Sequence, residues 1–311
     1  MPTTNYPQGV TSFGMPILPT VGGLLTTGQV FFVSSAVGKN APGEGSDPSR
    51  PFATLAYALT QTVANRGDLI FVMPGHAESV IAAGTITFSK AGVTVVGLGA
   101  GNVRPIFTFS TATAASILFS AASCALVNVV LNGAGIDAVA NMIDITNTAT
   151  DTRIEQCRIY MASATNKAAN GIRVAADRVR IVECEFEGAE GAGGVSAIAS
   201  AAAIAHLRIL RCNFQGYYST ALLSSASTNH ITQMIVRDCV MRSLTNAGVI
   251  FNLTTSSTGL ICDCRIQGTG WTTPAGVLAN STGVKFMECY GFDEAAQAVS
   301  GVLVPAVGTI A

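Results

Sequence analysis

Ile181-Val182-Glu183-Cys184-Glu185-Phe186-Glu187-Gly188 is answered 28 residues later by Ile209-Leu210-Arg211-Cys212-Asn213-Phe214-Gln215-Gly216. The two octets share Ile, Cys, Phe and Gly at the same places. Working outward, the cysteine recurs as Cys157, Cys184, Cys212, Cys239, Cys264 and Cys289, at gaps of 27, 28, 27, 25 and 25 residues. A fixed period of this length means one structural unit stacked on itself, a solenoid.

With the cysteine as position zero, an apolar residue stands three before it (Ile154, Ile181, Ile209, Val236, Ile261, Phe286) and often five before it (Val179, Leu207, Met234, Val284). Another stands two after it in most repeats (Ile159, Phe186, Phe214, Met241, Ile266), and the residue just before it is always polar. Period-two alternation marks strands with one buried face. The phase skips once, between minus three and zero, so two short strands meet at a tight bend. Gly171 to Val174, Ala221 to Ser224, Val249 to Asn252 and Gly276 to Ala279 read as a further strand between successive cysteines. Three strands and three turns fill each repeat. Upstream, Val129 and Val96 are expected to take the cysteine's place, which gives about eight rungs and, at ~4.8 Å per strand, a rod of about 34 Å. A leucine-rich repeat needs Leu-x-x-Leu-x-Leu, which this chain lacks. The fold class expected is all-β, a parallel β-helix with three strands per rung.

The repeat argues for one elongated domain at residues 30–311, with an N-terminal cap at 47–66 and an apolar closing segment at 295–311. Within the cap, Thr54 to Ala64 places Leu55, Ala58, Leu59 and Val63 on one helical face, so a helix is expected to cover the open end of the solenoid.

Lys and Arg total 17 against 18 Asp and Glu, and charged residues make up 11% of the chain. That balance offers nothing to attract nucleic acid or an anionic membrane. No stretch is long and apolar enough to span a bilayer. Met1 to Thr11 carries no Lys or Arg, so no cationic leader pattern opens the sequence, and assembly in a reducing cytoplasm is expected. The ladder cysteines should point inward as small apolar fillers and remain thiols. Cys262-Asp263-Cys264 has no second Cys or His pair at zinc spacing, and no metal or cofactor is expected.

Residues 1–29 differ in kind. Pro2, Pro7, Pro16 and Pro19 oppose regular structure, yet Tyr6, Val10, Phe13, Met15, Ile17 and Leu18 are too apolar for a solvated tail. Such an arm expects a surface, either its own rod or a partner.

Phe31-Phe32-Val33, the Gly-rich loop to Asp47, Pro51-Phe52-Ala53-Thr54-Leu55 and the run Gly67 to Gly75 resemble the opening of the pectate-lyase-like right-handed β-helix superfamily, and the similarity extends over roughly residues 30 to 295. Asn5-Tyr6-Pro7-Gln8-Gly9-Val10-Thr11-Ser12-Phe13-Gly14 resembles the start of tailed-phage head-decoration and head-fibre proteins. That resemblance implies attachment to a virion through Tyr6, Pro7, Val10, Phe13, Met15, Ile17 and Leu18, with a major capsid protein or another virion protein as partner.

The superfamily includes polysaccharide lyases and hydrolases. Hydrolysis needs two carboxylates about 5–9.5 Å apart, and lyase action needs a cation site and a base. The strands between the cysteines, where such groups would project, contain Arg173 as their only ionisable side chain among the four segments named above. Asp238, Asp263 and Glu288 share one repeat position and are expected to stack as a solvated corner column neutralised by Arg237, Arg242 and Arg265. His76, His206 and His230 share no repeat position. Trp271, Tyr217 and Tyr218 follow glycines in loops, where they would stack on sugars or fold onto the rod. Leu223, Phe251 and Ala279 form an expected outward apolar strip that a homotrimer would bury. The reading from sequence is a non-enzymatic structural protein of a phage virion, located in the virion. Its rival is a tailspike-like protein that binds or cleaves a glycan.

Overall fold

The computed structural model describes residues 10–12, 15–17, 26, 28–161, 166–188, 194–226, 228–246, 249–269, 278–279, 283–293 and 300–303, and all structural statements refer to these. Three long sheets run the length of the chain as a parallel β-helix. The first sheet holds the strands just before each bend, such as Arg153–Glu155, Arg180–Val182 and Arg208–Leu210. The second holds those just after it, such as Arg158–Tyr160, Glu185–Glu187 and Asn213–Gly216. The third holds the strands between cysteines, including Val139–Ile145, Ala168–Val174, Gly194–Ser200, Tyr218–Ser225 and Val249–Asn252. The third sheet has eight strands, in keeping with about eight rungs.

The register is strict. Ile154, Ile181 and Ile209 are direct partners in the first sheet, and Ile159, Phe186 and Phe214 in the second. All are buried, as are the six ladder cysteines between them. Phe186 and Phe214 stack with ring centroids 4.6 Å apart at 12°, and Phe88 and Phe119 do so at 4.1 Å and 9°. Each fully buried residue of this size contributes about 1.5–3 kcal/mol, so every rung is held by the same few interior slots.

The phase skip is the polar residue before each cysteine. Gln156, Glu183, Arg211, Asp238, Asp263 and Glu288 all adopt φ between 52° and 56°. This left-handed turn carries the chain round a corner in one residue. Its N–H is not lost: Gln156, Glu183 and Arg211 donate to Val182, Leu210 and Arg237 carbonyls of the next rung at 2.9 Å. A second left-handed corner recurs six before position zero, at Ser123, Asp151, Arg178, His206 and Gln233.

Four expectations need correction. Val95, not Val93, pairs with Leu126, so Val96 does not take the cysteine's place in that rung. Val96 instead faces outward, where it is buried in a second apolar cluster with Leu69, Phe71, Ala125 and Val127. The capping helix is shorter than expected, Leu55–Thr60, with Thr54 accepting from the Tyr57 N–H. Leu55, Ala58 and Leu59 are buried as expected, but Val63 lies beyond the helix end and is 49% exposed. Leu223 and Phe251 point into the core at 2% and 0% exposure, so they form no outward strip. They share a column with Leu278, whereas Ala279 pairs with Asn252, one residue out of phase. The expected trimer strip therefore loses its basis. Of the two alternatives for Tyr218, the structure shows it folded into the rod and buried.

In the arm, Val10–Ser12 pairs antiparallel with Met15–Ile17 as a sheet of its own. Pro16 is tolerated there because both strands of a lone hairpin are edges. Tyr6, Pro7, Phe13 and Leu18 lie outside the described residues, as does Trp271.

Candidate binding groove on the third sheet

Strands of the third sheet run side by side, so outward residues fall into columns. One column reads Leu118, Asp144, Arg173, Ala199, Ser224 and Asn252. Its early part carries the ion pair Arg173 Nη1 to Asp144 Oδ1 at 2.7 Å. Among the described strand residues of this sheet, Asp144 is the one carboxylate. Past that pair the surface becomes small, polar and uncharged. There it sinks into a groove of about 720 Å³ lined by Asn170, Ser200, Thr220, Ser224, Asn252 and Thr254, with Val195, Ala199 and Leu253 among its apolar walls.

The lining is partly pre-set. Ser224 Oγ lies 2.7 Å from Ser196 Oγ on the adjacent rung, and Ser225 Oγ accepts the Thr254 N–H at 3.0 Å. Asn170 donates its amide to Ala140 O and Asn141 Oδ1, which leaves its own Oδ1 buried without a partner. A buried acceptor left unmet is costly, and a hydroxyl donor brought by a ligand would satisfy it. Hydroxyls and amides without net charge, set among small apolar side chains, suit a neutral hydroxyl-rich ligand. Sequence reading noted that this sheet lacks charge but missed that Asn170, Thr220, Asn252 and Thr254 converge. The signal was the run of Ser, Thr and Asn at outward positions.

The acidic corner column is solvated, and Glu183, Asp238 and Asp263 within it are paired. Glu183 accepts from Gln156 and Arg211, which hold its carboxyl below the usual range. Arg237 reaches both Asp238 at 3.1 Å and Asp263 at 3.6 Å. No cluster of three metal-ligating side chains occurs among the described residues. His76 is a structural bolt. Its Nδ1 accepts the Ser35 N–H at 3.0 Å, so Nε2 carries the proton toward Glu78 at 3.1 Å. Glu78 in turn takes the Leu55 and Ala56 N–H groups that open the capping helix.

All eight cysteines are free thiols. Each ladder thiol lies over backbone carbonyls, as Cys184 Sγ does at 3.4 Å from Val182 O and 3.5 Å from Ile154 O. The ladder thiols perturb one another in both directions. The Cys239 thiol and burial push Cys264 up to about 12, and burial raises Cys184. The thiols of Cys184 and Cys239 instead draw Cys212 down to about 4. What the six share is burial, which makes them interior fillers out of reach of a reaction partner. Cys262 is different: it pairs with Arg237 and Met287 on the outer side of the first sheet, yet is only 4% exposed.

No known protein family and no curated protein matches the sequence. Solved structures do share the fold. A rhamnogalacturonan lyase superposes with a TM-score of 0.58 at 13% identity, covering 78% of this chain and 70% of its own. A pectin methylesterase, solved in complex with a hexasaccharide, gives 0.50 at 13% identity, covering 84% and 89%. Protein ORF18 of Geobacillus virus E2 gives 0.42 at 14% identity, covering 86% and 61%. At such identities the likeness extends to architecture alone. The chain thus shares the parallel β-helix architecture of these structures.

Proposed function

We propose that this chain is a non-enzymatic structural protein of a bacteriophage virion, a capsid decoration or head-fibre protein held to the particle by its N-terminal arm. The observation that carries the reading is the arm's hairpin, Val10–Ser12 with Met15–Ile17, which pairs with itself and adds no strand to the three solenoid sheets. Among the described residues neither arm strand pairs with a sheet of the rod, and an apolar arm of this kind suits strand addition to a partner, here a major capsid protein or another virion protein. The resemblance of residues 5–14 to phage head proteins points the same way. A third sheet whose described strands offer a lone carboxylate, already tied to Arg173, supports an inert rod over a two-acid hydrolase. Electron microscopy of purified particles tests this, alongside a chain lacking residues 1–25. The full chain should decorate the particle and the truncated chain should stay in solution. Equal binding by both would overturn the anchoring role.

The groove favours a second reading, a tailspike-like polysaccharide-binding protein. Its uncharged hydroxyl and amide lining, with the unmet Asn170 Oδ1, suits a neutral glycan. Incubation with capsular or O-antigen polysaccharide separates the readings. Shortening of the polymer would replace the inert rod with an enzyme, and retention without shortening would support a binding surface.

A further inference from the structure

The outward side of the first sheet changes character along the rod. Its first four strands are Val30–Val33, Leu69–Val72, Thr94–Gly97 and Ala125–Val127. There the outward columns read Val30, Leu69, Thr94, Ala125 and Phe32, Phe71, Val96, Val127, without a charge. At the next strand the same columns turn to Arg153 and Glu155. The uncharged patch points away from the core, yet Val96 is 0%, Leu69 2% and Ala125 4% exposed. Phe32 and Phe71 stack on it with ring centroids 5.9 Å apart. The described apolar side chains packed against it, Val30, Phe32 and Leu98, come from the same strands or the residue after one. Neighbours in one sheet flank an outward side chain but do not roof it. The roof has to come from elsewhere in the chain. The arm joins the rod beside the patch: Thr26 Oγ donates to Gly67 O, and the Gln29 N–H donates to Asp68 Oδ1 at 2.8 Å, next to Leu69. Residues 270–277, 294–299 and 304–311 follow the strands at the opposite end of the sheets.

We propose that residues 19–25 are a clasp, with Val21, Leu24 and Leu25 laid on the outward patch around Val96. Residues 1–25 contain no Asp, Glu, Lys or Arg, so an uncharged segment meets an uncharged face. Length agrees as well. The patch spans three strand steps, about 14 Å, and seven extended residues reach about 23 Å. Gly22 and Gly23 allow the chain to turn back from Thr26 and bring no side chain that would hold it off the sheet. The patch ends at Arg153 and Glu155, where an apolar segment gains nothing further. The clasp gives the arm a fixed root, so that whatever residues 1–18 bind is held to the rod at a set place and not on a loose tether. It goes beyond the virion reading and stands whether or not residues 1–18 dock on a particle.

Three chains test it, each mixed with the apolar-surface dye anilinonaphthalene sulfonate and melted: the full chain, one lacking residues 1–18 and one lacking residues 1–25. Loss of residues 1–18 should leave dye fluorescence no higher and the melting temperature unchanged. Loss of residues 1–25 should raise fluorescence roughly threefold, as an apolar patch of a few hundred Å² opens, and lower the melting temperature. Leu24→Ser/Leu25→Ser in the full chain should shift both readings the same way, which keeps the test alive if the shortest chain fails to fold. A peptide of residues 15–27 added to the chain lacking 1–25 should reverse both changes, and a scrambled peptide should not. Native dye binding and melting in both the shortest chain and the serine variant would overturn the clasp. So would an effect already complete on removing residues 1–18. Dye binding by the full chain that falls with rising protein concentration would place another copy's arm on the patch and overturn it too. Particle decoration is a separate reading: a full chain that fails to decorate yet keeps its dye and melting behaviour defeats the virion role and leaves the clasp.

Discussion

Replacing Phe214 by alanine should destabilise the rod more than almost any other single truncation in the second sheet. The ring is 2% exposed and stacks on Phe186 at 4.6 Å and 12°, so its removal leaves a void between two rungs that neighbouring strands cannot close without breaking register. Deleting a buried phenyl costs about 3–5 kcal/mol, of which about 0.5–1.5 is the ring–ring contact. In a chain of this size, about 2 °C of melting temperature accompanies each kcal/mol, so the midpoint should fall by about 6–10 °C. Gln215, the next residue, faces outward in the same strand, and Gln215→Ala should shift stability by no more than about 0.5 kcal/mol. The double variant Phe186→Ala/Phe214→Ala should lose less than the sum of its parts, because the stacking contact can be removed only once. Calorimetry and urea unfolding measure all four chains. Equal losses for Phe214→Ala and Gln215→Ala, or full additivity of the two phenylalanines, would refute the interior column.

Other perturbations probe the cap and first rung. Asp68 is wholly buried; burial raises its pKa, but Arg66 and the Val63 and Gln29 N–H groups outweigh this and hold it below the usual range. A depressed folded pKa means that its contribution is present above the unfolded value near 3.9 and fades as pH falls through the lower folded value. Asp68→Asn should cost about 1–3 kcal/mol at neutral pH and flatten the acid limb of a stability-against-pH curve. An acid limb as steep as the native protein's would count against this. Gly38→Ala would put a methyl 2.2 Å from Phe52 O and 2.3 Å from Ser34 O, both backbone atoms. It should therefore cost more than about 2 kcal/mol in denaturant unfolding, and a neutral result would show that the cap loop is packed differently.

The period was legible because each interior slot of a solenoid imposes the same size and polarity on every rung, and the cysteine labels that slot without ambiguity. Where the label disappears, so does the register. Val93 to Leu98 is apolar on both faces, since Val96 belongs to the outer cluster with Leu69 and Phe71, and period two alone cannot say which valine faces in. The same ambiguity turned Leu223 and Phe251 outward on paper and inward in the structure. The corner residues were read as polar and outward, but their left-handed backbone was not, because glutamate and arginine carry no conformational label as glycine does. The groove stayed hidden for a different reason. Ser, Thr and Asn from four strands separated by more than 80 residues acquire meaning only when rungs bring them together.

The most direct test of the stacked-rung account is thiol accessibility, read by alkylation and peptide mass mapping before and after denaturation. Cys157, Cys184, Cys212, Cys239, Cys264 and Cys289 should stay unlabelled in the folded protein and become reactive together as it unfolds, with Cys262, on the outer side, the first to react. Rapid labelling of several ladder cysteines in the folded state, or their recovery as disulfides, would contradict it.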